Sequence, residues 1–226
     1  MQPLDFSFLT ADSFSVLTQG MVISLIVTGT ALAVGLLLGT LLAVLRVSRF
    51  RVLSFLAACY INCFRSIPLA MVLLSFYLVV PELLAKLFWE GHGMDTRMIS
   101  ALVGFSLFEA AYYAEIMRAG IQSVPKGQVA AACALGMKPN QAMRLVILPQ
   151  AARNMLPLLL TQLILLFQDT SLVYMISLTD FFTSAEGIGE RDGRIEEMMI
   201  ISAAVYLVIC YSASLFVKRL PQPKPS

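Results

Sequence analysis

Apolar residues fill five long stretches of this chain, and few charged positions interrupt them. The stretches cover roughly residues 20–45, 53–80, 98–118, 155–178 and 198–217. A helix needs about 20 consecutive, mostly apolar residues to cross the hydrocarbon core of a bilayer. The pattern therefore predicts an all-α integral membrane protein with five transmembrane helices, in which residues 1–226 form a single transmembrane domain.

The composition supports a chain surrounded by lipid. Of its 226 residues, 58% are hydrophobic and 13% are charged, whereas soluble domains average about 45–50% apolar and about 25% charged residues. So few charges cannot cover a water-exposed surface of normal area, and we expect lipid to cover much of it. The net charge of +2 gives no indication of nucleic acid as a partner.

Basic residues concentrate on one side of the predicted membrane. Cytoplasmic loops carry an excess of Lys and Arg. The segments after the first span, between the third and fourth spans, and after the fifth span hold eleven of the 16 basic residues. The N-terminus is therefore predicted to lie outside and the C-terminus in the cytoplasm, with a long cytoplasmic loop over residues 119–153. The eleven residues are Arg46, Arg49, Arg51, Arg118, Lys126, Lys138, Arg144, Arg153, Lys218, Arg219 and Lys224.

Small residues form a regular pattern in the loop between the third and fourth spans. Residues 127–136 read Gly-Gln-Val-Ala-Ala-Ala-Cys-Ala-Leu-Gly, which predicts a short helix that ends at Gly136. A second short helix is predicted from Asn140 to Leu148, after Pro139. The alanine face of this loop fits either a groove on another protein or the lipid headgroups.

The same loop resembles the EAA motif of ATP-binding-cassette (ABC) importer permeases. In that motif Glu-Ala-Ala leads to a glycine, nine further residues follow, and Ile-x-Leu-Pro closes the pattern. Residues 146–149 close it here as Val-Ile-Leu-Pro, and Ala130 stands where the family carries Glu. A salt bridge to an ATPase from this position is therefore not expected, although docking is. The resemblance implies that an ATPase couples to Ala131, Ala132, Gly136, Leu148 and Pro149.

Other segments are similar to the polar amino-acid permeases of the histidine, glutamate and glutamine type. The resemblance implies the transmembrane domain of a type I ABC importer in a bacterial inner membrane, with a periplasmic N-terminus. It further implies an amino-acid substrate, glutamate or aspartate, with another polar amino acid as the alternative. The similar segments are residues 64–68, 113–116, 118–121 and 168–172, and those typical of glutamate and aspartate permeases are 108–113 and 168–174.

ATP hydrolysis is not expected in this chain, because the sequence has no Gly-x-x-x-x-Gly-Lys-Ser/Thr phosphate loop. The resemblance implies two separate ATPase subunits, which would bind ATP and Mg²⁺, an external solute-binding protein and a second permease subunit, identical or related. No cofactor or metal is expected in the chain itself. The alternatives are a proton-coupled secondary transporter subunit, which the lack of an internal repeat disfavours, and a membrane scaffold.

Three ionisable residues, Arg65, Glu109 and Asp169, fall near the middle of predicted spans. A charge at the bilayer centre costs at least about 2.5–3.5 kcal/mol, so each should face a protein interior or a cavity and have a partner. One interpretation is a buried ion pair of Arg65 with Asp169 or Glu109 that only fixes helix packing. These charges disfavour the scaffold hypothesis.

The other interpretation is a cavity for an amino acid. Arg65 would bind a carboxylate through two parallel hydrogen bonds, and Asp169 or Glu109 would receive the ammonium group. Pro68 would interrupt the second span, which is tolerated at depth only beside protein or water. The resemblance leaves open whether the cavity lies in this subunit or in its partner. Further hydrogen-bonding groups would come from Ser66, Gln168 and Thr170.

Two local contacts are also predicted. Glu115 and Arg118 lie three residues apart near the cytoplasmic end of the third span, and we expect them to pair. Gly35 and Gly39 form a GxxxG pattern in the first span. Such a pattern lets two helices approach closely, either within the subunit or in a dimer.

Overall fold

Helices account for most of the chain that the computed structural model describes, namely residues 8–48, 50–88 and 95–220. A π-helical turn at Met143–Ile147 joins α6 to α7, and a 3₁₀ helix at Thr170–Ile176 follows α7. Arg49 and Lys224 lie outside the described residues. The helices are α1 (Ala11–Arg46), α2 (Arg51–Ser66), α3 (Leu69–Phe88), α4 (Thr96–Gln122), α5 (Lys126–Ala134), α6 (Pro139–Ala142), α7 (Leu148–Asp169), α8 (Phe181–Asp192) and α9 (Ile195–Lys218).

The helices fit the predicted all-α membrane architecture. Within the described residues, α1, α4, α9 and the continuous run from α6 to the end of the 3₁₀ helix are each long and apolar enough to cross a membrane. The bent pair of α2 and α3 supplies a fifth candidate. At the centre lies α4, which packs against α1, α2, α3 and α7.

Small residues on α1 face the protein, and large apolar residues face outward. The buried positions of α1 include Gly20, Ala31, Gly35 and Gly39, whereas large side chains such as Leu37 are exposed. This distribution is typical of membrane helices, which approach each other through small residues because lipid is as apolar as leucine. The GxxxG pattern therefore packs α1 against α4 within the subunit.

The second predicted span, residues 53–80, is broken into two helices. The axes of α2 and α3 differ by 107°. Ile67 has an extended backbone, with φ −107° and ψ 136°, as expected for a residue that precedes a proline. The carbonyl group of Pro68 accepts hydrogen bonds from the N–H groups of Met71 (3.0 Å) and Val72 (3.2 Å), and so begins α3.

The loop that we predicted to be cytoplasmic forms one helix and then merges with the predicted fourth span. Gly136 follows α5 with a left-handed φ of 83°. The N–H of Met137 donates to the carbonyl of Ala132 (3.1 Å), and that of Gly136 to the carbonyl of Cys133 (3.0 Å). This pattern ends a helix in a Schellman motif. The second short helix predicted at residues 140–148 is not separate, because α6 and the π-helical turn continue into α7.

One helix, α8, was not predicted from the sequence. Its first turn is capped by Asp180, whose Oδ1 accepts from the N–H (2.9 Å) and the hydroxyl (2.7 Å) of Thr183. The hydroxyl of Ser24 on α1 accepts from the N–H of Phe181 (3.2 Å). Because α8 is short and mixes apolar with charged residues, its apolar pattern is too weak to indicate a span.

Gly39→Ala is expected to destabilise the protein. A Cβ at Gly39 would lie 2.8 Å from the Cβ of Tyr113 and 3.0 Å from the carbonyl oxygen of Ala110, and such overpacking costs about 1–3 kcal/mol. Gly29→Ala is the matched control, since a Cβ at Gly29 meets nothing within 4 Å. Thermal unfolding in detergent should give a lower Tm for Gly39→Ala only. Equal Tm values for the two variants would contradict this packing.

Candidate functional site

A cavity of about 540 Å³ lies at the break between α2 and α3. The broken segment contributes one wall, and α4 and α7 contribute the others. Its lining is mixed, with charged and amide groups beside aromatic and aliphatic ones, which is typical of sites for small polar molecules. The lining residues used below are Arg65, Ser66, Pro68, Phe108, Tyr112, Gln162 and Asp169.

Arg65 lies at the rim of this cavity, at the end of α2. Its side chain is 39% exposed, and its guanidinium carbon lies 5.6 Å from the centre of the Tyr112 ring. Its Nη1 is 3.7 Å from Oε1 of Glu115. In the described part of the chain it forms no ion pair with Glu109 or Asp169. The predicted packing pair between these spans is therefore not formed.

Asp169 also lines the cavity, from the last residue of α7, and is half-buried. Within residues 8–48, 50–88 and 95–220, its carboxylate forms neither a hydrogen bond nor an ion pair. A partly buried carboxylate normally has hydrogen-bond donors around it, because its desolvation is otherwise uncompensated. The carboxylate of Asp169 is therefore available to a ligand.

Glu109 lies behind the cavity wall rather than on its surface. The residue is fully buried, and both of its carboxylate oxygens accept from Nε2 of Gln162, at 3.1 and 3.2 Å. Gln162 itself lines the cavity. Glu109 can therefore hold and orient Gln162, but its carboxylate does not line the cavity.

Three more predicted residues have different environments. Ser66 lines the cavity, and its hydroxyl donates to the carbonyl of Asn62 at 2.7 Å. Gln168 lies on a groove between α7 and α9, away from Arg65. Thr170 is fully buried, and its hydroxyl donates to the carbonyl of Phe167 at 2.8 Å. The structure thus brings together Arg65, Ser66 and Asp169, and separates them from Gln168 and Thr170.

Tyr112 and Gln162 are cavity residues that sequence reasoning did not select. Gln162 follows Thr161 in a mostly apolar stretch of α7, and it precedes Asp169 by seven residues. Residues at that spacing share a helix face, so a helical projection of the fourth span could have identified it. Tyr112 carries no comparable signal, because aromatic residues are common in membrane helices.

Glu115 forms the centre of a charged cluster near the C-terminal end of α4. The predicted pair with Arg118 is confirmed, because Nε of Arg118 donates to Oε2 of Glu115 at 3.0 Å and its Nη2 contacts Oε1. Arg46 at the end of α1 donates to Oε2 at 2.9 Å. With Arg65 at 3.7 Å, three guanidinium groups surround one carboxylate.

The predicted coupling residues surround the end of α5 and the start of α7. Ala132 is buried, whereas Ala131, Gly136, Leu148 and Pro149 are exposed. Leu135, which was not predicted, is 82% exposed and is the most exposed of the large apolar residues in the described part of the chain. No Asp or Glu occurs between residues 116 and 168. This surface therefore combines apolar side chains with basic ones.

Comparisons with known proteins agree on one class. Residues 35–222 match the family model described as the inner membrane component of binding-protein-dependent transport systems. The glutamate/aspartate import permease protein GltK of Escherichia coli O6:H1 is 57% identical over 208 residues, which cover 92% of this chain and 93% of that protein. The arginine transport system permease protein ArtQ of Bacillus subtilis is 34% identical, with coverage of 91% and 90%.

Solved structures give the same result. A crystal structure of an amino-acid ABC transporter superposes with a TM-score of 0.82 at 31% identity, covering 95% of this chain and 97% of that one. An inward-facing form of the MetNI methionine ABC transporter superposes with a TM-score of 0.66. At 19% identity, with 95% and 100% of the two chains covered, that second likeness concerns the fold alone.

Gln162→Leu is expected to destabilise the protein, because it leaves the buried carboxylate of Glu109 without its donor. Such an unsatisfied group costs about 1–3 kcal/mol, and more if charged. The double variant Glu109→Leu with Gln162→Leu should recover most of the lost Tm in detergent. If Gln162→Leu lowers the Tm equally with and without Glu109, the two side chains are not coupled.

Proposed function

We propose that this chain helps to carry glutamate or aspartate across the membrane, because it belongs to the family of inner membrane components of binding-protein-dependent transport systems. The chain is a permease subunit of an amino-acid ABC importer, and it transports rather than catalyses. The predicted resemblance and the predicted type I fold are thereby confirmed. The proposal concerns the substrate, its site and the assembly.

One observation carries the proposal: Asp169 and Arg65 line the same cavity while neither is neutralised by the other. A free amino acid presents an ammonium group and at least one carboxylate, and desolvating both requires opposite charges nearby. Arg65 supplies a planar set of donors suited to a carboxylate, and Asp169 accepts from the ammonium. The 57% identity to a glutamate/aspartate permease supports an acidic amino acid as the substrate.

The other cavity residues support these two charges. The guanidinium of Arg65 lies over the ring of Tyr112, a cation–π contact that uses none of its N–H donors. Gln162 lines the cavity together with Asp169. Its amide is held in place because Nε2 donates to the buried carboxylate of Glu109. Gln168 and Thr170, which we predicted as substrate ligands, have no part in this proposal because they lie outside the cavity.

The family requires a binding protein and an ATPase, and we propose the finer assembly from the resemblance. Two ATPase subunits bind ATP and Mg²⁺ on the cytoplasmic side, a second permease subunit completes the pathway, and an external solute-binding protein delivers the substrate. The basic segments between α4 and α7 and after α9 support an inner-membrane orientation with the N-terminus periplasmic and the C-terminus cytoplasmic. Closure of the ATPase dimer would then expose the cavity to one side at a time.

The ATPase contact is proposed to rest on shape, apolar contact and basic charge. Ala130 replaces the usual glutamate, so an acidic contact from this position is missing. Leu135 is exposed beside Gly136, at the turn that ends α5, and Lys138 is exposed nearby in sequence. The Schellman motif fixes the direction of Leu135 because Gly136 alone adopts the required left-handed backbone at that point.

The function is tested by uptake of labelled glutamate into proteoliposomes that contain the whole importer, its binding protein and internal ATP. Arg65→Ala should lower uptake at least about tenfold, the size of one lost charged hydrogen bond. Arg65→Lys should be intermediate, because lysine cannot form two parallel bonds to a carboxylate. Arg219→Ala, at an exposed position at the end of α9, is the control. ATP-independent uptake, or equal uptake by Arg65→Ala and Arg219→Ala, would contradict the proposal.

Leu135→Asp is expected to uncouple the ATPase without destabilising this chain. The side chain is 82% exposed, so the change costs little in the isolated subunit, but it would bury a carboxylate in an apolar groove of the partner. ATP turnover stimulated by the binding protein should fall at least about tenfold. Val47→Asp is the control, because Val47 is 66% exposed and lies outside the coupling segment. Normal stimulation in Leu135→Asp would exclude this contact.

A further inference from the structure

We propose that Glu115 competes with the substrate for Arg65. In the empty permease the Glu115 carboxylate attracts the guanidinium of Arg65, and a carboxylate of the bound amino acid displaces it. When the ion pair between Glu115 and Arg65 forms again, the substrate loses its main cationic contact and is released. This inference rests on the proposed function, because it concerns the same cavity.

The three arginines do not hold Glu115 equally. Arg118 and Arg46 donate hydrogen bonds to it, at 3.0 Å from Nε of Arg118 and at 2.9 Å from Nη1 of Arg46. The contact with Arg65 is an ion pair at 3.7 Å, beyond hydrogen-bonding distance. Glu115 therefore stays well bonded when Arg65 moves away.

Arg65 has most of its binding capacity unused. A guanidinium has five N–H donors, and in the described part of the chain those of Arg65 make no hydrogen bond. Its side chain is 39% exposed, compared with 22% for Arg46 and 27% for Arg118. Of the three arginines, only Arg65 lines the cavity. It is therefore the one arginine of the cluster that can exchange one carboxylate for another.

The charge of the cluster favours an anionic ligand. Three guanidinium groups and one carboxylate carry a net charge of +2, which an incoming carboxylate lowers. Glu115 lies six residues beyond Glu109 along α4, or about 9 Å, towards the end that we assign to the cytoplasm. Renewed pairing with Glu115 would thus draw the guanidinium of Arg65 away from the cavity and towards the cytoplasmic side, where the substrate is released.

The test is equilibrium binding of labelled L-glutamate to the assembled importer in nanodiscs, without binding protein. Glu115→Gln should lower the Kd about two- to fivefold, the range expected for one partly exposed ion pair. Arg118→Gln should raise the Kd, because Glu115 then turns more fully to Arg65. Opposite changes in the Kd of the two variants would exclude a simple loss of cluster integrity, which would weaken binding in both.

Two controls separate this competition from a general change in charge. Glu82→Gln removes a glutamate carboxylate from the exposed Glu82–Lys86 pair and should leave the Kd unchanged. In an Arg65→Gln background, measured at millimolar glutamate, Glu115→Gln should no longer improve binding. If Glu115→Gln does not assemble, Glu115→Asp tests the same point, because it shortens the side chain and withdraws the carboxylate from Arg65.

The inference is overturned if Glu115→Gln leaves the Kd unchanged or raises it, or if its benefit persists without Arg65. That failure is distinct from failure of the proposed function. If the wild-type importer takes up glutamate and Arg65→Ala abolishes uptake while Glu115→Gln has no effect, only the competition is wrong. If the wild-type importer transports no acidic amino acid, the proposed function itself fails.

Discussion

Backbone N–H and C=O groups inside a bilayer have no water to bond, so a crossing chain stays helical except beside protein or an internal cavity. The Ile67–Pro68 break meets this condition. The carbonyl of Pro68 begins α3 by accepting from Met71 and Val72, and the 107° bend opens the cavity rimmed by Arg65. The position of the proposed substrate site thus follows from a local backbone requirement.

Two kinds of helix contact make that cavity stable. On one side, Gly35 and Gly39 bring α1 so close to α4 that an added Cβ would collide with Tyr113. On the other, the buried Glu109 of α4 binds Gln162 of α7. The first contact leaves no room between α1 and α4, and the second gives a buried carboxylate its hydrogen bonds. Helix α4 can therefore act as the fixed wall against which α2, α3 and α7 pack.

The carboxylates around the cavity have different surroundings. Glu109 of α4 is buried and binds the amide of Gln162. Asp169 of α7 lines the cavity without a hydrogen bond or ion pair in the described part of the chain. Glu115 of α4 contacts three arginines. These carboxylates look alike in the sequence, where each is an acidic residue within a predicted apolar span. Their different partners arise because Glu109, Glu115 and Asp169 meet different neighbouring helices. Arg65 connects two of these environments, since it lines the cavity and contacts Glu115.

The sequence by itself determined the all-α membrane class, the end of a helix at Gly136 and the presence of ionisable residues within apolar stretches, because hydropathy and helix-stop signals are local properties. It predicted an interruption at Pro68 but could not determine the size of the bend, the continuity of α6 with α7, or α8, since packing against other helices decides whether a weak local pattern persists. It also grouped Gln168 and Thr170 with Asp169. Only the tertiary structure separated them, because adjacent residues on a helix point about 100° apart and meet different partners.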